Sequence, residues 1–229
     1  MAVPRHPLFR SLLPREIVVH DSIERPLSDH IFPEEFAQVA GASDSRKREY
    51  LAVRAHARTA MVELGLPAAP ILRGPAGAPI WPVGIVGSMT HCRGYQGAAL
   101  ASKHAVATIG IDAEVHRPLP NGVLNLISSD QERSHLRLLG RQRPEVAWDC
   151  VLFSAKEAVY KAWFPVMRTW LDFLDVSIRF NSDVNTFEVA FIREPLAVGE
   201  HTLPILRGTF GVLSGYALTA IAVADPTAP

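Results

Sequence analysis

This 229-residue chain has only two cysteines, four lysines among its 23 basic residues, and no net charge. Cys92 and Cys150 form no C-x-x-C pair and no zinc spacing, which sets aside a zinc module, while one disulfide between them is open on count alone. With 23 acidic residues against 23 basic ones, no global field draws the chain to nucleic acid or to an acidic membrane. Any anion it binds must be held by a local cluster. Long hydrophobic runs are also missing. The longest uncharged stretch, 74–92 with His91 neutral, is broken by Pro75, Pro79, Pro82 and four glycines, so it cannot run as a membrane helix. Prolines and arginines interrupt every apolar run near the N-terminus, so no signal peptide is expected, and free thiols in a reducing cytoplasm are. No Walker loop or dinucleotide fingerprint is present.

What is there is globular: 48% hydrophobic and 20% charged residues can build a core. Residues 1–30 carry little periodicity and read as an extended arm. A short helix is predicted over 33–40, and a longer one over 44–64, capped by Ser43 and stopped by Gly65. Residues 66–92 read as loop-rich, followed by strands near 94–101 and 105–113. A helix opened by Ser129 with Glu132 three residues on has a capping-box start, and a long helix is predicted over 144–167 with Pro165 ending or kinking its last turn. Strands follow at 174–181, 186–193, 205–213 and 215–223. Gly94-Tyr95 and Gly215-Tyr216 each open an apolar strand, a faint internal echo.

Four constellations carry chemistry. Asp112 and Glu114 alternate onto one face of a strand, where two carboxylates repel unless a cation lies between them. Two solvated acids at a strand end would look the same. Glu157 and Lys161 stand one helical turn apart within an aromatic helix, as a cleft pair or an ordinary surface ion pair. Lys156 lies beside them, so half of the chain's lysines fall in six residues. Small residues and hydroxyls at Gly87, Ser88 and Thr90 precede His91, which suits either a phosphate or a structural histidine. Arg46, Lys47, Arg48, Arg54 and Arg58 on the first long helix, with Arg73 beyond it, form either a solvated face or an anion clamp. Together they describe carboxylates for a hard cation such as Mg²⁺ and basic groups for several phosphates.

Gly-Ile-Asp-Ala-Glu at 110–114, followed by Phe-Ser-Ala-Lys-Glu-Ala-x-Tyr-Lys-Ala-Trp at 153–163, resembles the signature pair of the Sfp-type 4'-phosphopantetheinyl transferases. The upstream block from Gly77-x-Pro79-x-Trp81-Pro82 through Gly87-Ser88-Met89-Thr90-His91-Cys92 is similar to that family's first motif, in the variant of its EntD-like and actinobacterial subgroup. The resemblance covers residues 40–225. It implies an α/β (α+β) fold of two similar halves related by a pseudo-twofold, residues 1–106 and 107–229, with the site in the cleft between them. The implied activity is transfer of phosphopantetheine from coenzyme A to a serine of an acyl or peptidyl carrier protein, releasing adenosine 3',5'-bisphosphate.

By the same resemblance Asp112, Glu114 and Glu157, with the Ala113 carbonyl, would hold Mg²⁺. Lys161 would sit on the pyrophosphate with Lys156 assisting, and Glu157 would be the general base. His91 and Thr90 would contact phosphate, Arg46 and Arg54 would clamp the 3'-phosphate, and Arg73, where a Lys is often found, would lie along the adenosine. Carrier domains would dock near Leu119–Leu139. A chain supplying both halves of its cleft is expected to act as a monomer in the cytoplasm, without nucleic acid or membrane. The rivals are a catalytically silent module that binds coenzyme A or carrier domains, and an ATP-dependent phosphotransferase, which the missing phosphate loop disfavours.

Overall fold

The computed structural model describes residues 7–23 and 31–226. Its first half holds β1 (Val18–Ile23), α1 (Pro33–Ala37), α2 (Asp44–Glu63), β2 (Ile85–Cys92) and β3 (Tyr95–Ser102). The three strands form an antiparallel sheet in the order β1-β3-β2. Ser43 caps α2 as expected, its hydroxyl accepting from the Arg46 amide. Ala57, Ala60 and Met61 of α2 pack on Ala98 and Leu100 of β3.

Two expectations need correction here. The described part of the expected extended arm is a full member of the first sheet. β1 pairs with β3 from Val18 opposite Leu100 to Ile23 opposite Tyr95. The Asp21 carboxylate accepts from the Leu8 and Phe9 amides at 3.0 and 3.1 Å and folds a 3₁₀ turn, Leu8–Ser11, over the sheet. Residues 1–6 and 24–30 lie outside the described residues. The second correction is β2, which occupies the end of the stretch read as loop. Its buried face carries Ser88 and Thr90, 3% and 1% exposed, so the strand lacks the apolar alternation that marks a half-buried strand.

The second half contains β4 (Val106–Val115), α3 (Val123–Ile127), α4 (Asp130–Gln142), α5 (Trp148–Met167), β5 (Val176–Asn181), β6 (Thr186–Phe191), β7 (Leu196–Val198), β8 (His201–Leu203), β9 (Ile205–Leu213) and β10 (Tyr216–Ala224). Five strands form an antiparallel sheet ordered β4-β10-β9-β6-β5, and β7-β8 is a separate hairpin that the sequence pattern does not announce. The capping box at Ser129 and Glu132 is formed. α5 starts at Trp148, later than expected, because residues 143–146 form a turn closed by the Val146 amide donating to the Arg143 carbonyl at 3.2 Å, and its N-cap Ala147 offers no side-chain acceptor. His116 Nε2 instead accepts from the Ala147 amide at 2.9 Å. The helix runs two residues past Pro165 and ends at Arg168 in left-handed backbone.

Mixed helices and antiparallel sheets thus build an α+β fold. The two Gly-Tyr pairs occupy equivalent places: Gly94 and Gly215 take positive φ in the turns that open β3 and β10, and the Tyr95 and Tyr216 rings meet at 5.1 Å. The sheets share a core in which Phe9, Ile17 and Tyr95 pack with Ile109, Ile111 and Leu218. Where β2 meets β4 the connection is made by side chains. The Ile111 amide donates to Ser88 Oγ at 3.1 Å and the Ala113 amide to Thr90 Oγ1 at 3.0 Å. α5 lies unusually close on β4, since a Cβ at Gly110 would stand 1.9 Å from the Ala158 carbonyl oxygen. Among the described residues no helix is long and apolar enough to cross a membrane.

Candidate active site

A cleft of about 250 Å³ opens between α2 and β2 on one side and α5 on the other. Arg46, Arg54, Arg73 and His91 line it from the first half, Glu157 and Lys161 from the second. Asp112, 4% exposed, does not line the cleft itself but lies behind Lys161. Asp112 Oδ1 accepts from Lys161 Nζ at 2.7 Å and from the Thr90 hydroxyl at 3.3 Å. Its Oδ2 is buried with no partner, a cost that a structure retains where something else is to bind. Lys161 also donates to the Ile111 carbonyl at 3.2 Å, which leaves one ammonium hydrogen for the cleft.

One lysine faces three carboxylates. Burial, reinforced by the Asp112 and Glu157 charges, pushes the Glu114 carboxyl up to about 7, while Lys161 pulls the other way. Burial and Asp112 likewise raise Glu157. This all-oxygen donor set, with its orphaned Oδ2, fits a hard divalent cation. Among the described residues no three His, Cys, Asp or Glu side chains are placed to hold a metal ion together, so these carboxylates would need to draw in around it and substrate oxygens and water would supply further ligands. Both cysteines are free thiols next to this group, raised by burial to about 12 for Cys92 and about 11 for Cys150.

The basic side is built around an aromatic ring that the sequence reading missed. The Arg54 guanidinium lies 3.3 Å from the Tyr50 ring centroid and Arg73 lies 5.3 Å from it. Arg54 is further held by the Ile71 and Tyr50 carbonyls. Burial lowers its pKa to about 10, so it remains a cation at neutral pH. The Tyr50 hydroxyl donates to Gln38 Oε1, which also accepts the Arg73 amide. The i,i+4 spacing of Tyr50 and Arg54 was the available signal. Arg46 contacts His91 Nε2, and Glu49 lies 3.6 and 3.7 Å from the two. Burial and Arg46 lower the His91 pKa, which keeps the ring neutral with Nε2 as acceptor.

Three residues of the sequence reading are elsewhere. Thr90 is buried behind Asp112, where its hydroxyl orients that carboxylate and bridges the sheets instead of facing a phosphate. Lys156 points away from Lys161 into a buried ion pair with Glu132, because residues five apart on a helix diverge by about 140°. Arg58 is paired inside with Glu35 and takes no part in the clamp. Ala113 is fully buried between Asp112 and Glu114. A smaller cavity of about 130 Å³ lies beyond Glu157 and Tyr160, walled by Trp170, Leu171, Phe173 and Val176. Tyr160 lines both cavities, and its hydroxyl is buried without a hydrogen-bond partner.

Comparison with known families matches residues 34–101 to the 4'-phosphopantetheinyl transferase N-terminal domain and residues 108–219 to the 4'-phosphopantetheinyl transferase superfamily. The chain belongs to the 4'-phosphopantetheinyl transferase superfamily. The transferase is 44% identical to 4'-phosphopantetheinyl transferase Svp of Streptomyces mobaraensis, over 96% of this chain and 90% of that protein. It is 45% identical to PptT of Mycobacterium tuberculosis over 82% of this chain and 84% of the relative. Npt of Nocardia iowensis is 38% identical, with 95% and 100% covered. The enzyme's activity is transfer of a 4'-phosphopantetheinyl group to carrier proteins.

Proposed function

We propose that the transferase takes coenzyme A as donor and Mg²⁺ as its ion, and moves phosphopantetheine to a serine hydroxyl of an acyl or peptidyl carrier protein. The observation that carries this reading is the orphaned Asp112 Oδ2 behind Lys161, a lysine that lines a cleft whose other wall is basic. Arg46, Arg54 and His91 bind the 3'-phosphate, and Arg73 lies along the adenosine. Asp112, Glu114 and Glu157 would hold the ion, with the Ala113 carbonyl beside them. When bound, the ion supplies positive charge to the pyrophosphate and lowers the cost of adding a nucleophile to phosphorus.

Lys161 donates its remaining hydrogen to a pyrophosphate oxygen, where charge grows as the phosphorus–oxygen bond breaks. The serine oxygen forms the new bond to phosphorus, adenosine 3',5'-bisphosphate leaves, and the hydroxyl proton passes to Glu157. Glu157 and Tyr160 line both cavities, which supports the clamp cleft for the nucleotide and the aromatic cavity for the pantetheine arm. We read the chain as two halves, 1–106 and 107–229, acting as one monomeric cytoplasmic unit without nucleic acid or membrane. Exposed Leu126, Trp170 and Leu174 near the smaller cavity offer carrier domains an apolar rim.

The test is the intact mass of an apo carrier protein after incubation with the transferase, coenzyme A and Mg²⁺. A gain of one phosphopantetheine, abolished by chelator, is expected. No gain with fatty-acid, polyketide and peptide carriers, despite tight coenzyme A binding, would leave a silent binding module.

A further inference from the structure

Glu132 lies in the first turn of α4 and is 3% exposed. Its Oε2 accepts from the Ser129 amide at 2.8 Å and its Oε1 from the Ile178 amide at 2.9 Å. Both oxygens face Lys156 Nζ, at 2.9 and 3.1 Å. Lys156 also donates to the Phe173 carbonyl at 2.7 Å and the Val176 carbonyl at 3.2 Å. An ammonium has three hydrogens. One goes to Glu132 and two to these carbonyls, so none is left for a ligand.

The pair joins α4, α5, the 3₁₀ turn Phe173–Asp175 and β5. Desolvating two charges offsets most of their attraction, so a buried ion pair is a poor source of net stability. What this one does specifically is pin the two carbonyls that bracket the turn. Leu171, Phe173 and Val176 of that segment form one wall of the smaller cavity, and Lys156 itself, with Glu157 and Tyr160, forms the other.

We infer that Glu132 is a positioning residue for the transfer: through Lys156 it fixes the width of the smaller cavity and so the grip on the pantetheine arm. This rests on the reading that puts the arm in that cavity. Glu132 touches nothing in the clamp, so its influence falls on the arm alone.

The test compares dissociation constants of coenzyme A and of adenosine 3',5'-bisphosphate, which lacks the arm, by calorimetry without carrier. For Glu132→Gln, coenzyme A should weaken about tenfold, the loss of one good contact set, while the bisphosphate stays within about twofold. KM for coenzyme A should rise more than kcat falls. Should that variant fail to fold, the paired Glu132→Leu and Lys156→Met chain buries no charge and carries the same comparison. Equal losses for the two ligands, or none for coenzyme A, would overturn the inference. If the wild-type chain binds coenzyme A no more tightly than the bisphosphate, the placement of the arm itself fails, and the inference falls with it.

Discussion

Replacing Gly110 by alanine tests how the site is assembled. The added methyl would stand 1.9 Å from the Ala158 carbonyl oxygen and 2.9 Å from the Ala162 nitrogen. Both are helix backbone, so no side chain can swing aside. Restoring ordinary contact requires α5 to retreat from β4 by about 1.5 Å, and overpacking of this kind costs about 3 kcal/mol when the neighbours cannot relax. Asp112 lies two residues beyond Gly110 and Lys161 three beyond Ala158. Their 2.7 Å bond would stretch out of hydrogen-bonding range. A misplacement on this scale lowers turnover by about a hundredfold. Gly140→Ala serves as control, because a methyl there meets nothing within 4 Å and α4 should gain about 0.5–1 kcal/mol. The assays are denaturant unfolding and carrier modification. Loss of under about 1 kcal/mol with near-normal turnover in Gly110→Ala would refute the reasoning.

Asp112→Asn keeps the side chain's shape but removes its charge, so metal-dependent turnover should fall at least about a hundredfold while coenzyme A binding changes little; comparable turnover would argue against the ligand role. Arg54→Ala should weaken coenzyme A about tenfold or more and leave 3'-dephospho-coenzyme A nearly unaffected, and equal weakening of the two would remove the 3'-phosphate from this arginine. Because the Glu114 carboxyl is raised from the usual 4.5 to about 7, the folded metal-free chain holds its proton more tightly than the unfolded one. This group's contribution to metal-free stability therefore declines as pH rises from 4.5 through 7. Added Mg²⁺ offsets the ionised charge, so the Tm gain from Mg²⁺ should grow from pH 5 to pH 8; a gain independent of pH would contradict the carboxylate cluster.

Local signals made much of this legible. Ser43 and the Ser129–Glu132 box are read directly from sequence because helix ends are satisfied by neighbours a few residues away. Glu157 and Lys161, one turn apart on one helix, both line the cleft, but Lys161 bonds the distant Asp112 and not its helical neighbour. Thr90 and Lys156 were misplaced for a different reason. Their partners, Asp112 and Glu132, lie far along the chain, and a buried polar side chain looks like a ligand until its partner is seen. β2 was hidden by the same effect, since the hydroxyls on its buried face serve the neighbouring strand. Tyr50 stayed silent because an aromatic residue on an apolar helix stripe usually means core, and its second face is seen only once Arg73 returns to it.

The most direct test of the site is anomalous diffraction from crystals grown with coenzyme A and Mn²⁺ in place of Mg²⁺. One strong peak beside Asp112, Glu114 and Glu157 is expected under this site assignment, with the 3'-phosphate against Arg46, Arg54 and His91. A peak away from those carboxylates, or a coenzyme A whose 3'-phosphate points away from the arginines, would contradict it.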